Sequence, residues 1–168
     1  LLTKYKAITD KLYEGDVLAS YNGSLFGGDA AKGRKIFFQN QTAQCIRCHA
    51  YDDFGGIAGP RLNGIAKKLD RKLLLEALIA PSNRLAPGFG VVTIKLNSDK
   101  SVSGIVLSED KNSLTLKVGN EPDMIIAKET IKERSNALSS MPDMKALLTK
   151  REIRDLVSFL VTLDKEEH

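Results

Sequence analysis

The stretch "QTAQCIRCHAYDD", residues 41 to 53, holds both cysteines of the chain, Cys45 and Cys48, and one of its two histidines, His49. Thiol and imidazole groups are therefore concentrated within residues 45–49 of a 168-residue chain. Such a concentration is typical of three kinds of chemistry: a dithiol redox pair, part of a metal site, or attachment of a c-type haem. The fold expected around this stretch depends on which of the three applies.

Two of these chemistries fit the surrounding sequence poorly. A structural zinc site takes four ligands, commonly in two separated pairs, whereas the second histidine, His168, is the last residue. A thioredoxin-like dithiol follows a buried strand, but the preceding segment, residues 27–44, has helical character. A bare disulfide between Cys45 and Cys48 would be a strained, redox-active bridge rather than a stabilising one.

The pattern C-x-x-C-H uses all the ligand-bearing positions at once. Its thiols add to the vinyl groups of haem, and the adjacent histidine becomes an axial ligand of the iron. On a turn that enters a helix, this spacing places both sulfurs and the imidazole on one side. The sequence therefore favours one covalent haem c, attached through Cys45 and Cys48, with His49 bound to the iron.

The sixth iron ligand is predicted among the three methionines, because a thioether commonly partners histidine on haem iron. Met141 is the first candidate, since Pro142 keeps its neighbour extended and out of a helix. Met144 is predicted to pack on the last helix, and Met124 to lie in the core within an apolar strand-like run. An open iron site is the alternative, and it would make the protein a ligand sensor or a weak peroxidase.

The composition is that of a globular protein able to bury a core, with 42% hydrophobic and 27% charged residues. No apolar run reaches the roughly 20 residues that cross a bilayer, so no transmembrane segment is predicted. The basic residues behind the net charge of +4 are spread along the chain, which argues against a nucleic-acid partner. The chain begins at Leu1 without a signal-peptide pattern, so we expect its targeting segment to be missing from this sequence.

Several motifs follow one another in a recognisable order: GGDAAKGRKIFF (27–38), CIRCH (45–49), GPRLNGIA (59–66), LLLEALIAPSNRLAPGF (73–89) and SSMPDMKALLTKREIRDLVSFL (139–160). This order resembles class I cytochrome c, and more narrowly the Planctomycetes–Verrucomicrobia-type haem-binding domain. The resemblance implies a mainly α cytochrome c fold (class I) in which the N-terminal and C-terminal helices cross. Gly33 and Phe37 would then face Leu156 and Phe159.

The resemblance also implies roles around the haem. The carbonyl of Pro60 would accept a hydrogen bond from His49, and Leu62 would lean on the porphyrin. Taken alone, the Gly-Pro pair at this place predicts only a turn. Arg61 and Arg84 are candidates to pair with the haem propionates, because a guanidinium matches the geometry of a carboxylate.

The function expected from a histidine- and methionine-ligated haem is one-electron transfer rather than catalysis, because both axial positions of the iron are filled. The predicted partner is a redox protein or a fused or associated periplasmic dehydrogenase. By the same resemblance the thioether links are made outside the cytoplasm, so the predicted location is the periplasm. The identity of the electron donor and acceptor stays open.

Three regions are predicted along the chain. Residues 1–26 form an extension that would be the remnant of a preceding domain. Residues 27–164 form the cytochrome c domain, and residues 88–136 form a β-rich insertion within it. In the extension, apolar residues recur at helical spacing: Leu2, Tyr5, Ile8 and Leu12. The insertion is predicted to form a small antiparallel sheet or partial barrel from the β-branched segments 91–96, 101–107, 113–118 and 124–127, with a fifth strand near 130–132.

Three helices carry recognisable start signals. Asp29 is predicted to cap a helix over 30–39, and Asp70 a helix over 71–79. Thr149 and Glu152 form a predicted capping box at the start of the last helix.

Overall fold

A computed structural model describes residues 16–86 and 88–165. The chain divides into two compact units, one of residues 1–81 with 143–168 and the other of residues 82–142. The helical spacing predicted for residues 2–12 lies outside the described residues, as does His168. The domain boundaries expected from the sequence stay predictions.

The described part of the first unit is helical. Its α-helices are α1 (Ala30–Gln39), α2 (Cys45–Cys48), α3 (Ile65–Lys68), α4 (Arg71–Ile79) and α5 (Lys150–Leu160). Two short 3-10 helices accompany them, Ala19–Ser24 and Met144–Ala146.

The predicted helix starts are confirmed. The Asp29 carboxylate accepts hydrogen bonds from the first-turn amides of α1, and Asp70 accepts from the Leu73 amide of α4. Thr149 and Glu152 form the reciprocal capping box of α5. Each cap satisfies backbone donors that have no partner within the helix.

Helices α1 and α5 pack closely because a glycine lies at their contact. A Cβ atom at Gly33 would lie 2.8 Å from the Cβ atom of Phe159, so a larger residue would force the helices apart. The ring centroids of Phe37 and Phe159 are 5.7 Å apart. The Asp29 amide also donates to the buried carboxylate of Asp155 at 2.9 Å. The predicted crossing of these helices is confirmed at Phe159, and Leu156 is buried as expected.

The second unit is built on an antiparallel sheet. Its strands are β1 (Gly90–Leu96), β2 (Ser101–Glu109), β3 (Ser113–Lys117), β4 (Met124–Ala127), β5 (Ile131–Arg134) and β6 (Leu138–Ser139). Their order is β4-β3-β2-β1-β5, and β6 pairs with the start of β1. The five strand segments predicted from the sequence are confirmed.

The sheet has an apolar core of its own. Strand alternation places every second side chain on the inner face, and the buried set is Val92, Ile94, Leu114, Leu116 and Ile126. Outside this core, the Glu109 carboxylate of β2 forms two ion pairs. One is with Lys128, directly after β4, at 2.8 Å, and the other is with Arg134 of β5 at 3.0 Å.

The prediction of a mainly α fold is wrong. Of the described residues, 34% are helical and 22% lie in strands, so the fold is mixed, and these strands form one 6-stranded antiparallel sheet. From the sequence, these strands are expected as an addition to a helical domain. Since they share a continuous apolar core, the sheet is instead a principal component of the fold.

The prediction that Met124 is a core residue is also wrong, because its side chain is 39% exposed. Met124 is the first residue of the edge strand β4, where neighbouring strands lie on one side only. Ile126, two residues further on the same face, is the buried residue of that strand. Met144 is buried in its 3-10 helix, as predicted.

Candidate functional site

The two cysteines lie on a single turn of helix. Asn40, directly after α1, holds the approach to this turn, because its side chain accepts from the amides of Thr42 and Ala43 at 2.9 and 2.8 Å. Helix α2 then runs from Cys45 to Cys48. The thiols are free and are not at disulfide distance.

The environments of the two thiols differ. Cys45 is buried and Cys48 is exposed. Burial disfavours a thiolate and raises the pKa of the Cys45 thiol to about 11. Cys45 therefore stays protonated at neutral pH, while Cys48 is open to reagents in solvent.

His49 follows the turn and is held at one ring nitrogen. Its Nδ1 atom lies 2.8 Å from the carbonyl oxygen of Pro60. A carbonyl can only accept, so Nδ1 carries the proton and Nε2 has the lone pair. Within the described residues, Nε2 has no hydrogen-bond partner. The predicted contact between Pro60 and His49 is confirmed.

A glycine lies against the imidazole. A Cβ atom at Gly59 would come within 2.7 Å of Cε1 and 2.9 Å of Nδ1 of His49. A side chain at this position would therefore displace the ring. From the sequence, Gly59 beside Pro60 predicts only a turn. The approach of Gly59 to His49 depends on how the loop folds.

The loop after His49 returns to the cysteine turn through backbone hydrogen bonds. The amide of Gly56 donates to the carbonyl of Ile46 at 2.9 Å, and the amide of Gly59 donates to that of Cys48 at 2.8 Å. The loop thus folds back beside α2, and Leu62 beyond it is buried. Contact of Leu62 with a porphyrin stays a prediction.

The two predicted propionate partners have different surroundings. The guanidinium of Arg61 donates to the backbone carbonyl of Asp52 at 2.6 Å, so part of its hydrogen-bonding capacity is used within the loop. Arg84 is exposed in the second unit. Binding of propionates by either residue stays a prediction.

Met141 also belongs to the second unit, close to its end at residue 142. Its amide donates to the Ser139 hydroxyl at 3.1 Å, and its side chain is half-buried. The assignment of Met141 as an iron ligand stays a prediction.

The residues of the cysteine turn fit a c-type haem. Two unlinked thiols are three positions apart, and an imidazole with Nδ1 occupied keeps Nε2 for a metal. In the described part of the chain, no three His, Cys, Asp or Glu side chains converge as metal ligands. A haem iron takes only axial ligands from the protein, so it does not require such a cluster.

No protein-family model matches the chain, and no curated protein matches it. Over residues 16–86 and 88–165, no helix has the length and apolar character required to cross a bilayer.

Proposed function

We propose that the chain carries one haem c, attached through Cys45 and Cys48 with His49 as an axial iron ligand, and transfers single electrons. The observation that carries this proposal is the hydrogen bond from His49 Nδ1 to the Pro60 carbonyl, 2.8 Å long, directly after a turn with two free thiols. A dithiol redox pair has no need of an oriented imidazole. A metal-ligating histidine, in contrast, typically donates its other ring N–H to such a partner.

The residues of the turn and of the following loop have separate roles in this proposal. Cys45 and Cys48 provide the sulfur atoms of the two thioether links. The Pro60 carbonyl fixes the tautomer of His49 and raises the basicity of its Nε2 atom. Gly59 permits the loop to approach the ring. When bound, the haem supplies one-electron chemistry between ferric and ferrous iron.

The sixth ligand of the haem iron determines whether electron transfer or one of the alternative functions is expected. Met141 is the proposed ligand, because a bound thioether fills the second axial position and raises the reduction potential. An iron that lacks this ligand would bind small molecules, so sensing or weak peroxidase activity is the alternative outcome.

The proposed partner is a redox protein or a fused or associated dehydrogenase, and the proposed location is the periplasm. Both follow from the resemblance to Planctomycetes–Verrucomicrobia-type haem-binding domains. In this setting the chain relays electrons and does not transform a substrate itself.

The proposal is tested by absorption spectroscopy of the protein produced in a host that matures c-type cytochromes. We expect a c-type spectrum with the weak methionine-to-ferric-iron charge-transfer band, unchanged when carbon monoxide is added to the reduced protein. The substitution Met141→Leu should abolish the band and permit carbon monoxide binding, whereas the control Met124→Leu should change neither.

Two results would contradict parts of this proposal. Absence of haem from the mature protein would overturn it entirely. A haem spectrum that shifts with carbon monoxide in the unmodified protein would retain the cofactor but overturn Met141 as a stable ligand, and sensing or catalysis would become the leading function.

A further inference from the structure

Asp52 and Asn63 join the two ends of the loop that carries Pro60. The Asp52 amide donates to the Asn63 Oδ1 atom at 3.0 Å, and the Asn63 amide group donates to the Asp52 Oδ1 atom at 3.0 Å. These two hydrogen bonds close a reciprocal ring between residues eleven positions apart. They join the chain just after His49 to the chain just after Pro60.

The backbone of Asp52 is held by a third contact. Its carbonyl accepts from the Arg61 guanidinium at 2.6 Å, so its amide, carbonyl and carboxylate all bind residues 61–63. Asp52 also has a φ of +49°, a left-handed conformation that costs free energy in most residues and is best tolerated by Asn and Asp. Such a conformation persists where surrounding contacts hold it in place.

Pro60 itself depends on these neighbours for its position. Proline has no amide hydrogen to donate, so only its carbonyl can be used, and that carbonyl is bound to His49. On one side the Gly59 amide is fixed to the Cys48 carbonyl at 2.8 Å. On the other side, the contacts from residues 61–63 to Asp52 provide the anchor.

We infer that the Asp52–Asn63 pair positions the Pro60 carbonyl and thereby sets the orientation and basicity of His49 as the iron ligand. This inference rests on the proposed haem function and assigns positioning residues to the same site. Neither side chain needs to touch the haem. Their effect passes through the loop backbone to the Nδ1 hydrogen bond of His49, a type of contact known to tune metal ligands.

The reciprocal geometry permits a test by exchange of the two groups. Asn63→Asp removes the side-chain donor and places two carboxylates face to face, so the reciprocal ring should break, although the Asp52 amide can still donate to residue 63. Asp52→Asn alone retains an amide oxygen that can accept from Asn63. The double variant D52N/N63D restores one amide and one carboxylate, with the donor now on residue 52.

Three measurements are made on the haem-loaded chain as purified. Hydrogen exchange at the Leu62 amide reports whether the loop is anchored, since this amide donates to the Ala50 carbonyl at 2.9 Å. The reduction potential and the NMR shifts of the His49 ring report the iron ligand. Asn120→Asp, an exposed change in the second unit, is the control for added negative charge.

In N63D we expect the Leu62 amide to exchange about tenfold faster or more. Loss of one hydrogen bond changes the equilibrium for local opening by roughly that factor. The reduction potential and the His49 ring shifts should move in the same variant. D52N should keep the Leu62 exchange rate close to that of the unmodified protein, and the double variant should restore all three readouts that N63D changes. N120D should leave the Leu62 amide unchanged.

The inference is overturned if N63D changes Leu62 exchange but leaves the potential and the ring shifts equal to those of N120D, since the pair would then support only the loop. It is also overturned if the double variant behaves like N63D. A protein without haem would instead disprove the proposed function, and the exchange data would still show whether the pair anchors the loop.

Discussion

The loop from Cys45 to Asn63 and the sheet from Gly90 to Ser139 are held by different forces. The sheet combines regular backbone pairing with a buried apolar core. The loop buries few large side chains and instead relies on single hydrogen bonds and close approaches, such as Gly59 against the His49 ring. The hydrophobic effect that stabilises the sheet is non-directional, whereas the hydrogen bonds of the loop require specific distances and angles.

Positive φ values occur in both regions but at different places. Around the site, Gln44, Asp52, Gly55 and Gly64 have them, whereas in the sheet region Asp99 and Gly119 have them in turns between strands. Non-glycine residues pay a free-energy cost for such conformations, and they are typically found where function requires an irregular chain path. The comparison indicates that the sheet should tolerate changes that preserve apolar volume, while the loop should be sensitive to single atoms.

The largest expected effect lies in the sheet core. Ile94→Ala removes a side chain with no exposed surface and should lower the free energy of unfolding by about 2–5 kcal/mol. The control Ile125→Ala, at a residue 74% exposed, should change it by less than about 0.5 kcal/mol. Urea unfolding measures both, and equal effects would contradict the assigned register of β4.

Addition of a single methyl group in the loop should also lower the free energy of unfolding. Gly59→Ala adds one methyl group that would clash with the His49 ring, and we expect a loss of about 1–3 kcal/mol in unfolding free energy. Gly23→Ala is the matched control, because a Cβ atom there meets nothing within 4 Å. If G59A also left the His49 ring resonances in place, the loop would be more adaptable than the structure indicates.

In protein made without haem attachment, the difference in burial should make the two thiols react at different rates. Because the pKa of Cys45 is raised to about 11 by burial, it forms little thiolate, and thiolate is the reactive form. Cys48 is exposed, and we expect iodoacetamide to modify it at least about tenfold faster. Peptide mass spectrometry follows both sites, and equal rates would show that the turn opens readily.

The smallest expected effect concerns charge at the sheet surface. Hydrogen bonds from Lys128 and then Arg134 lower the pKa of Glu109, so the ionised form stabilises the folded state. Glu109→Gln should reduce stability by about 0.2–1 kcal/mol at neutral pH, as for other partly exposed pairs. The difference should be lost as the pH falls through the folded-state pKa of Glu109. A difference that persists in acid would point to packing instead.

The sequence predicted the starts of the helices well, but not every strand. Asp29, Asp70 and the Thr149–Glu152 box were identified because a cap depends on residues within one turn. Strand β6 was missed because two residues show no alternation, and it exists only through its pairing with Gly90 and Val91.

The non-local features were less predictable. Spacing alone predicts Cys45, Cys48 and His49 as the candidate site, but the contacts of Gly59 with His49 and of Asp52 with Asn63 depend on how the loop folds back. The mainly α prediction failed for a related reason. Short strands give weak individual signals, and their weight in the fold becomes clear only when they share one core.

Covalent haem attachment is measured by the intact mass of the protein after denaturation, when it has been produced with the c-type maturation apparatus. We expect the mass of the chain plus one haem, with the haem retained after acid–acetone extraction and lost from the C45S/C48S double variant. Extractable haem, or the mass of the bare chain in a host that matures a control C-x-x-C-H protein, would contradict it.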